Sequence, residues 1–262
     1  MRNLSEAKSS IADVYYPDKI LIRGYRIEEL IESLNFADAA FLTIFGRLPT
    51  KGESTLMNAM LVACIEHGFA PSAIVSRLVI GGAPEAFQGA VAAGILAMGD
   101  IHGGAIEKCA KMLQEGVKRA KKEGRSLKEI AEVIVHERWV EGEVIHGIGH
   151  PFHKIDPRTT TLFKIAEREG YKKEHAELLE AIRECAEREY GRRFPINVDG
   201  AIAAIISDMG IDWRVGKAFF IISRVVGLVA HVYEEMRRPA MDIVREAARR
   251  IPYDGLREAS LE

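Results

Sequence analysis

The sequence predicts an all-α protein, because helical periodicity runs through most of its 262 residues and strand-like alternation is nearly absent. Hydrophobic residues make up 48% of the chain and charged residues 28%, a balance typical of globular domains and not of disordered or collagen-like chains. The formal net charge of -2 gives no electrostatic reason to expect nucleic acid or membrane binding.

The predicted elements begin with one short apolar strand, KILIR at 19–23, which Gly24 closes. Short helices follow, and Gly46, the pair at 81–82 and Gly99 separate them. Glycine favours helix ends because it reaches backbone conformations that other residues avoid. These predicted helices span residues 26–34, 36–45, 51–67, 72–80 and 84–98.

The second half of the chain continues the helical pattern around one irregular segment. A helix follows the glycine pair at 103–104, and Ser126 with Glu129 forms a capping-box pattern for the next helix. Residues 141–158 are rich in glycine and histidine and predict an ordered loop. Predicted helices in this half span residues 105–122, 127–140, 157–169, 173–190, 198–209, 215–236 and 241–249. We expect one catalytic unit over 1–262, with a small lobe over about 157–210 on a larger helical lobe.

The cysteines and the apolar stretches indicate a cytoplasmic protein. Cys64, Cys109 and Cys185 lie far apart without metal-site spacing, so we expect buried thiols in a reducing compartment. The N-terminus MRNLSEAKSS is polar and predicts no signal peptide. Apolar stretches such as 90–98 and 218–230 are too short to predict a membrane span.

The segment HGIGHPFHKIDPR at 146–158 concentrates groups that bind anions or metals. A zinc site built from His146, His150 and His153 is the weaker interpretation, because the intervening glycines and proline deny a regular helical spacing. No cysteine lies nearby to complete such a site. A loop that binds an anionic ligand, with the lysine and arginine of this segment as charge partners, fits the residues better.

Four further residues predict chemistry beside a carbonyl group. Asp199 directly precedes an apolar helix, where it is either an N-cap or a general base in an apolar pocket. Arg224 lies inside the apolar run FFIISRVVGLVAHV and needs an anionic partner, such as a ligand carboxylate; His231 follows two helical turns later. His102 precedes a glycine pair at a helix start, a setting that favours a neutral imidazole. Cations, neutral imidazoles and one carboxylate suit carbon–carbon bond chemistry.

Six motifs in order resemble the citrate synthase family. They are IRGYRIEELIESLNFADAAFLTIFGRLPTKGE at 22–53, IEHG at 65–68, GDIHGGAIE at 99–107, GIGHPFHKIDPR at 147–158, PINVDG at 195–200 and SRVVGLVAH at 223–231. The resemblance covers nearly the whole chain. It implies a shortened citrate synthase-like helical fold, a homodimer or higher homo-oligomer, a coenzyme A thioester as substrate, and neither a metal nor a tightly bound cofactor.

The resemblance also implies roles for individual residues. Asp199 would transfer the proton of the acetyl methyl group, His102 would hydrogen-bond the thioester oxygen, and His150 would polarise the ketone of oxaloacetate. The residues implied to bind the substrate carboxylates are His67, Arg158, Arg224 and Arg238, the last reaching a neighbouring subunit's site, with Arg237 as its rival. The residues implied to lie along coenzyme A are Gly147, Ile148, Gly149 and Lys154.

The direction of the reaction divides the hypotheses. The short chain and the IEHG and NVDG motifs resemble stand-alone citryl-CoA lyases and the C-terminal lyase module of ATP-citrate lyase. That module, however, has phenylalanine where this chain has His102, and Pro71 replaces an asparagine that many synthases use. The first hypothesis is a citryl-CoA lyase producing acetyl-CoA and oxaloacetate.

Two alternatives stand beside the lyase. The first is a short citrate synthase, an acyltransferase of the tricarboxylic acid cycle. The second is a non-catalytic coenzyme A-binding subunit of a larger complex, for example with a citryl-CoA synthetase.

Overall fold

The computed structural model describes residues 8–15, 17–149, 155–255 and 258, and it confirms the all-α prediction. Helices account for 65% of the structure. In the described part of the chain they are α1 Ile27–Ser33, α2 Phe36–Phe45, α3 Lys51–Cys64, α4 Pro71–Gly82, α5 Phe87–Leu96, α6 Ala105–Glu123, α7 Leu127–Glu141, α8 Pro157–Arg168, α9 Glu174–Tyr190, α10 Val198–Asp208, α11 Gly216–Arg237 and α12 Asp242–Ala248. A short 3-10 helix, Trp213–Val215, precedes α11.

A small antiparallel sheet precedes the helices, and only its middle strand was predicted. The order is β1 Ala12–Tyr15, β2 Lys19–Ile22 and β3 Tyr25–Arg26. The outer strands are short and exposed, so they carry no alternating pattern that a sequence could reveal. Arg23 and Gly24 both have positive φ, 51° and 88°, and form the two-residue turn that joins β2 to β3.

Helix ends follow local sequence signals closely. Ser126 caps α7, and Glu129 completes the predicted capping box. Thr50 and Glu53 form a second capping box at the start of α3. Gly46 adopts a left-handed conformation at the end of α2, as predicted from its position. These caps satisfy backbone groups that a helix cannot pair internally.

The chain divides into two compact units. The larger contains residues 1–65 and 103–223, and the smaller contains residues 66–102 and 224–262. All of residues 157–210, where a small lobe is expected, belong to the larger unit. The C-terminal part of α11 belongs to the smaller unit.

Helix α10 is the central helix of the larger unit. Ten of its eleven residues are buried, and alanine and isoleucine predominate among them. It packs against α6, α8 and α9. Glycine likewise allows α6 to approach α9 closely, since a methyl group on Gly116 would lie 2.7 Å from Leu178 Cδ2. The burial of α10 fixes the position of its N-terminus, which carries Asp199.

The smaller unit has its own core, in which α4 packs on α5. Ile80, Ala90 and Val232 form the buried centre, and Phe87 packs against it. Gly94 allows α5 to approach its neighbours, since an added methyl group would overlap Ser76 of α4 and crowd Leu228 of α11. Helices α4 and α11, which contribute to this core, also carry charged residues.

The segment Trp213–Arg237 is, among the described residues, long and apolar enough to cross a membrane by length and composition alone. Its mean hydropathy is 1.7, and 44% of the most apolar window is buried inside the protein. The helix is longer than the apolar run 218–230 suggested. Core helices of globular proteins meet the same criterion, and this helix contributes Val232 to the buried centre of the smaller unit.

Candidate active site

Asp199 lies at the N-terminal end of α10, one residue after its start. Every other residue of that helix is buried, whereas Asp199 is partly exposed. The N-cap is Asn197, whose side-chain oxygen accepts a hydrogen bond from the Gly200 N–H at 3.0 Å. Asn197, and not Asp199, is therefore the N-cap of α10. The carboxylate is the one side chain that this helix presents away from the core.

The loop at 147–149 is tied directly to the start of α10. Gly149 N donates to Pro195 O at 2.7 Å, and Asn197 N donates to Gly147 O at 3.1 Å. The Asn197 side-chain amide donates to Gly149 O at 2.9 Å. Ile148, predicted with these glycines to lie along coenzyme A, forms a β-bridge with Ile196. The loop is thus ordered by backbone hydrogen bonds.

Glycine is required in this loop for two reasons. Gly147 and Gly149 have φ values of 93° and 86°, which residues with a Cβ rarely adopt. A methyl group on Gly147 would also lie 2.5 Å from Cys109 Sγ, and one on Gly200 would overlap Gly147 O. The loop backbone therefore packs directly on the backbone of α10. Burial, together with the nearby charge of Asp199, raises the pKa of the Cys109 thiol.

Arg158 is held by a buried carboxylate. Asp156, only 1% exposed, caps α8 by accepting from Arg158 N at 3.0 Å. Arg158 Nε and Nη2 donate to its two oxygens at 3.0 and 2.8 Å, and Val198 N donates to Oδ2 at 3.2 Å. Burial raises the pKa of Asp156, but Arg158 and these backbone hydrogen bonds outweigh burial and lower it. The carboxylate thus stays ionised and orients Arg158 beside the start of α10.

His150 and Lys154, predicted to polarise the ketone and to bind coenzyme A, lie outside the described residues. Their described neighbours are Gly149 on one side and Ile155 on the other. The roles implied for both residues stay predictions.

An aromatic cavity of about 480 Å³ lies beside the same loop. Trp139 and Tyr190 have ring centroids 4.6 Å apart, and Tyr190 and Phe194 lie 5.5 Å apart. The Arg192 guanidinium lies 4.7 Å from the Phe194 centroid. Ile148 and Gly149 line the cavity as well. Tilted and edge-to-face aromatic rings with an adjacent cation suit a flat heteroaromatic ring bearing phosphate.

In the smaller unit, His102 is positioned by a buried serine. The chain turns tightly at 99–102, where Gly99 and His102 exchange two backbone hydrogen bonds. Ser72 Oγ, fully buried near the start of α4, lies 2.9 Å from His102 Nε2. Burial and the positive charge of Arg224 both lower the pKa of His102. The imidazole is therefore neutral at pH 7, as its predicted role requires.

His67 follows α3, and its backbone N–H donates to the Glu66 carboxylate at 2.7 Å. Arg224 of α11 is 2% exposed, in agreement with a cation placed inside an apolar helix. Its charge lowers the pKa of both Glu66 and His102, so it acts on the same region of the smaller unit. The charge of Arg224 thus acts on Glu66 and His102, and His67 directly follows Glu66 in the chain.

Arg238 is different, because its side chain is 84% exposed and pairs only weakly with Glu234 at 3.1 Å. Its rival Arg237 lies 5.5 Å above the Tyr233 ring. Both arginines line a cavity of about 700 Å³ in the smaller unit. Their exposure is compatible with the implied role toward a neighbouring subunit.

The predicted site residues are divided between the two units. Within the larger unit the structure gathers Asp199, Arg158 and the loop at 147–149, and within the smaller unit it gathers His67, His102 and Arg224. Sequence reasoning missed the residues that contact them, namely Ser72, Asp156 and Glu66. Asp156 carried a usable signal, since an aspartate before proline is a common helix start. Among the described residues, none group as three metal-binding side chains.

The chain is similar to citrate synthases in sequence. The family described as citrate synthase, C-terminal domain, matches residues 50–247. Citrate synthase 2 of Bacillus subtilis is 28% identical over 218 residues, covering 81% of this chain and 55% of that protein. The chain spans about half the length of the curated relatives it matches.

Solved structures show the same similarity. The citryl-CoA lyase of Hydrogenobacter thermophilus matches with a TM-score of 0.83 and 41% identity over 98% of both chains. An ATP citrate lyase of Methanosaeta concilii, solved in complex with (3S)-citryl-CoA, matches with a TM-score of 0.76. It is 21% identical, over 97% of this chain and 43% of that one, and so shows the fold alone.

Proposed function

Because this chain belongs to the citrate synthase family, we propose that it is a citryl-CoA lyase, which cleaves citryl-CoA to acetyl-CoA and oxaloacetate. The observation that carries the proposal is the match to the citryl-CoA lyase of Hydrogenobacter thermophilus along almost the whole length of both chains. The curated citrate synthases are matched over only about half of their length.

The proposed reaction breaks the bond between the hydroxyl-bearing carbon of citryl-CoA and the methylene next to the thioester. The hydroxyl proton passes to His150 as the ketone of oxaloacetate forms. The electron pair moves onto the thioester as an enolate, whose oxygen His102 stabilises by a hydrogen bond. Asp199, in its protonated form, returns a proton to the enolate carbon, which becomes the methyl group of acetyl-CoA.

The carboxylates of the oxaloacetate half need fixed cations. Arg158, oriented by the buried Asp156, and the buried Arg224 supply two guanidinium groups for them. His67 adds a further hydrogen-bonding group.

The coenzyme A half is assigned to the loop at 147–149 and the aromatic cavity beside it. Ile148 and Gly149 line this cavity, so the loop borders it directly. Tyr190 and Phe194 offer ring faces for the adenine, and Arg192 offers a charge for a phosphate. In this proposal coenzyme A is bound as part of the thioester substrate.

A short citrate synthase is the second candidate, and His102 is the observation that favours it. A neutral histidine at this position is the synthase-type residue in the family resemblance. The two activities differ in the fate of the thioester: a synthase hydrolyses citryl-CoA to citrate and free coenzyme A, whereas a lyase retains the thioester in acetyl-CoA.

The deciding experiment supplies purified protein with (3S)-citryl-CoA. Oxaloacetate is followed through coupled NADH oxidation by malate dehydrogenase, and free thiol is followed separately with a thiol reagent. The proposal expects oxaloacetate without thiol release. Thiol together with citrate, and thiol release from acetyl-CoA plus oxaloacetate, would identify a synthase instead. If neither product forms, cleavage and hydrolysis of citryl-CoA are excluded and a coenzyme A-binding subunit becomes the better interpretation.

A further inference from the structure

The turn that follows α11 in the smaller unit is held by a buried glutamate. Glu235 is 4% exposed, and its Oε1 accepts from Ala240 N at 2.8 Å and from Met241 N at 2.9 Å. One carboxylate oxygen thus closes the chain around Arg237 and Arg238. These are the two arginines that line the cavity of about 700 Å³ in this unit.

The second oxygen of Glu235 binds a buried arginine of another helix. Arg77, on α4, is 1% exposed, and its Nη1 donates to Glu235 Oε2 at 2.7 Å. Its Nε donates to His231 Nδ1 at 2.7 Å, which fixes the guanidinium from a second side. Burial raises the pKa of Glu235, but the Met241 N–H and Arg77 are among the groups that outweigh burial and lower it. An ionised pair inside the protein therefore joins α4 to the turn after α11.

The neighbouring glutamate, Glu234, makes a weaker contact with Arg238. Glu234 is half-exposed and pairs with Arg77, while its Oε1 accepts from Arg238 Nη2 at 3.1 Å. Exposed pairs of this kind, four residues apart on a helix, contribute little free energy. The Arg238 side chain can therefore leave Glu234 for another carboxylate. Its backbone stays in place, because Arg238 N donates to Glu234 O at 2.8 Å and the turn beyond is held by Glu235.

A fixed backbone matters for an arginine that binds its ligand from an exposed position. The Arg238 side chain is 84% exposed, so it loses rotamer freedom when a carboxylate binds it. If the turn were mobile as well, binding would also have to order the backbone. The contacts of Glu235 remove that second cost before the ligand arrives.

We propose that Arg77 and Glu235 are positioning residues, which hold the turn after α11 so that Arg238 meets a carboxylate of the substrate. The inference rests on the proposed function for the identity of the substrate and on Arg238 as one of the residues that bind it. Arg77 and Glu235 themselves do not touch the substrate.

The test compares two adjacent glutamates that both pair with Arg77. Glutamine has one acceptor oxygen in place of two, so Glu235→Gln cannot serve both Arg77 and the two N–H groups of the turn. Isothermal titration with oxaloacetate should show binding weakened about threefold to tenfold, whereas Glu234→Gln should bind as tightly as the wild type or more tightly, because it removes the competitor for Arg238. Glu246→Gln, at an exposed position of α12, is the control and should bind like the wild type. Wild-type binding by Glu235→Gln, or an equal loss in Glu234→Gln, overturns the inference.

Combining Glu235→Gln with Arg238→Ala separates positioning from general damage. Arg238→Ala should weaken oxaloacetate binding about tenfold or more, the effect of losing a hydrogen bond between charged groups. If Glu235 acts through Arg238, the double variant binds no more weakly than Arg238→Ala alone. A purely structural role predicts that the two losses add. Additive losses, or wild-type binding by Arg238→Ala, overturn the inference.

Hydrogen exchange tests the turn without any ligand or turnover. In Glu235→Gln the amides of Ala240 and Met241 should exchange faster, while those in the middle of α11 stay slow. Unchanged exchange at both amides overturns the inference. If the exchange and binding effects are found but citryl-CoA is not cleaved, only the proposed reaction fails.

Arg77→Lys is the second variant if Glu235→Gln does not fold. Lysine keeps the charge beside Glu235 but cannot bind Glu235 and His231 in the geometry of a guanidinium. Oxaloacetate binding should weaken, and the amides of Ala240 and Met241 should exchange faster, in the same direction as for Glu235→Gln. Wild-type values of both overturn the inference.

Discussion

Asp199 shows how much a single side chain depends on its neighbours. Asn197 caps the helix and α10 buries every other residue, so the carboxylate of Asp199 has no structural duty as a cap. Gly147 and Gly200 bring the loop backbone against the helix beside it. A carboxylate at the rim of a buried helix is well placed to transfer protons.

We expect Asp199→Asn to abolish turnover of citryl-CoA while the fold stays intact. The amide cannot return a proton to the enolate, and loss of a general acid or base costs about 10²- to 10⁴-fold in rate. The rate of oxaloacetate formation measures turnover, and far-UV circular dichroism shows whether the fold is intact. Asp242→Asn, at an exposed position of α12, should change neither. Full activity of Asp199→Asn would refute the mechanism.

At the scale of the element, helices begin where side chains accept hydrogen bonds from the first backbone N–H groups. Glu53 of α3 accepts from Thr50 N at 2.8 Å and pairs with Arg47, whose guanidinium leads the causes that lower its pKa to about 2. Because the pKa is lower in the folded state, the stabilisation is complete above the unfolded value of 4.5. It is lost as the pH falls from there toward 2.

Replacing Glu53 by glutamine should therefore destabilise the protein in a pH-dependent manner. At pH 7 we expect a loss of about 1–2 kcal/mol in the free energy of unfolding, since a cap and an ion pair with a half-exposed arginine are removed. The difference from wild type should shrink in urea unfolding at pH 3. Glu115→Gln, on an exposed face of α6, should show no such trend. A loss independent of pH would contradict this account.

The loop at 147–149, which packs on α10, depends on glycine. Gly147→Ala combines an unfavourable positive φ with a contact of 2.5 Å to Cys109 Sγ, and should cost about 1–3 kcal/mol of stability. The midpoint temperature of thermal unfolding and the turnover rate should fall together, because the same backbone positions Asp199. Gly82→Ala, where nothing lies within 4 Å of the added methyl group, is the control. Its stability should be unchanged or slightly raised. A fully stable Gly147→Ala would show that the loop can shift without cost.

At the scale of the whole molecule, exposed apolar residues on α11 lead to a prediction about the oligomeric state. Val226, Val229, Tyr233 and Met236 lie three to four residues apart on α11 and are exposed. Residues at this spacing share one face of a helix. A stripe of this kind on a helix is typical of an interface with a like partner.

We therefore predict that the protein is a dimer, with a mass in light scattering of twice the 29.1 kDa chain. If Arg238 serves the neighbouring subunit, Arg238→Ala and Asp199→Asn should each be inactive, yet recover activity when refolded together. Each mixed dimer then contains one intact site. Arg237→Ala mixed with Asp199→Asn is the parallel experiment for the rival arginine. Recovery with neither arginine, or a fully active monomer, would contradict the shared site.

The sequence by itself determined the helical class, most helix boundaries and the residue types of the site. Helical periodicity, the capping box at Ser126 and the glycine at the end of α2 are local signals, and local hydrogen bonding gives them their structural meaning. The motifs with Asp199, Arg224 and His102 likewise stand in the sequence, because the chemistry proposed for them requires those side chains.

Only the tertiary structure decided which residues orient the site and how the chain divides. The contacts of Ser72 with His102 and of Arg77 with His231 join residues 30 and 154 positions apart, which no periodicity connects. The outer strands were missed because pairing with β2, and not their own residues, makes them strands. Asn197 rather than Asp199 caps α10 because the loop at 147–149 also binds Asn197. Burial and pairing across the fold, which depend on distant residues, set the charge states that the proposed chemistry needs.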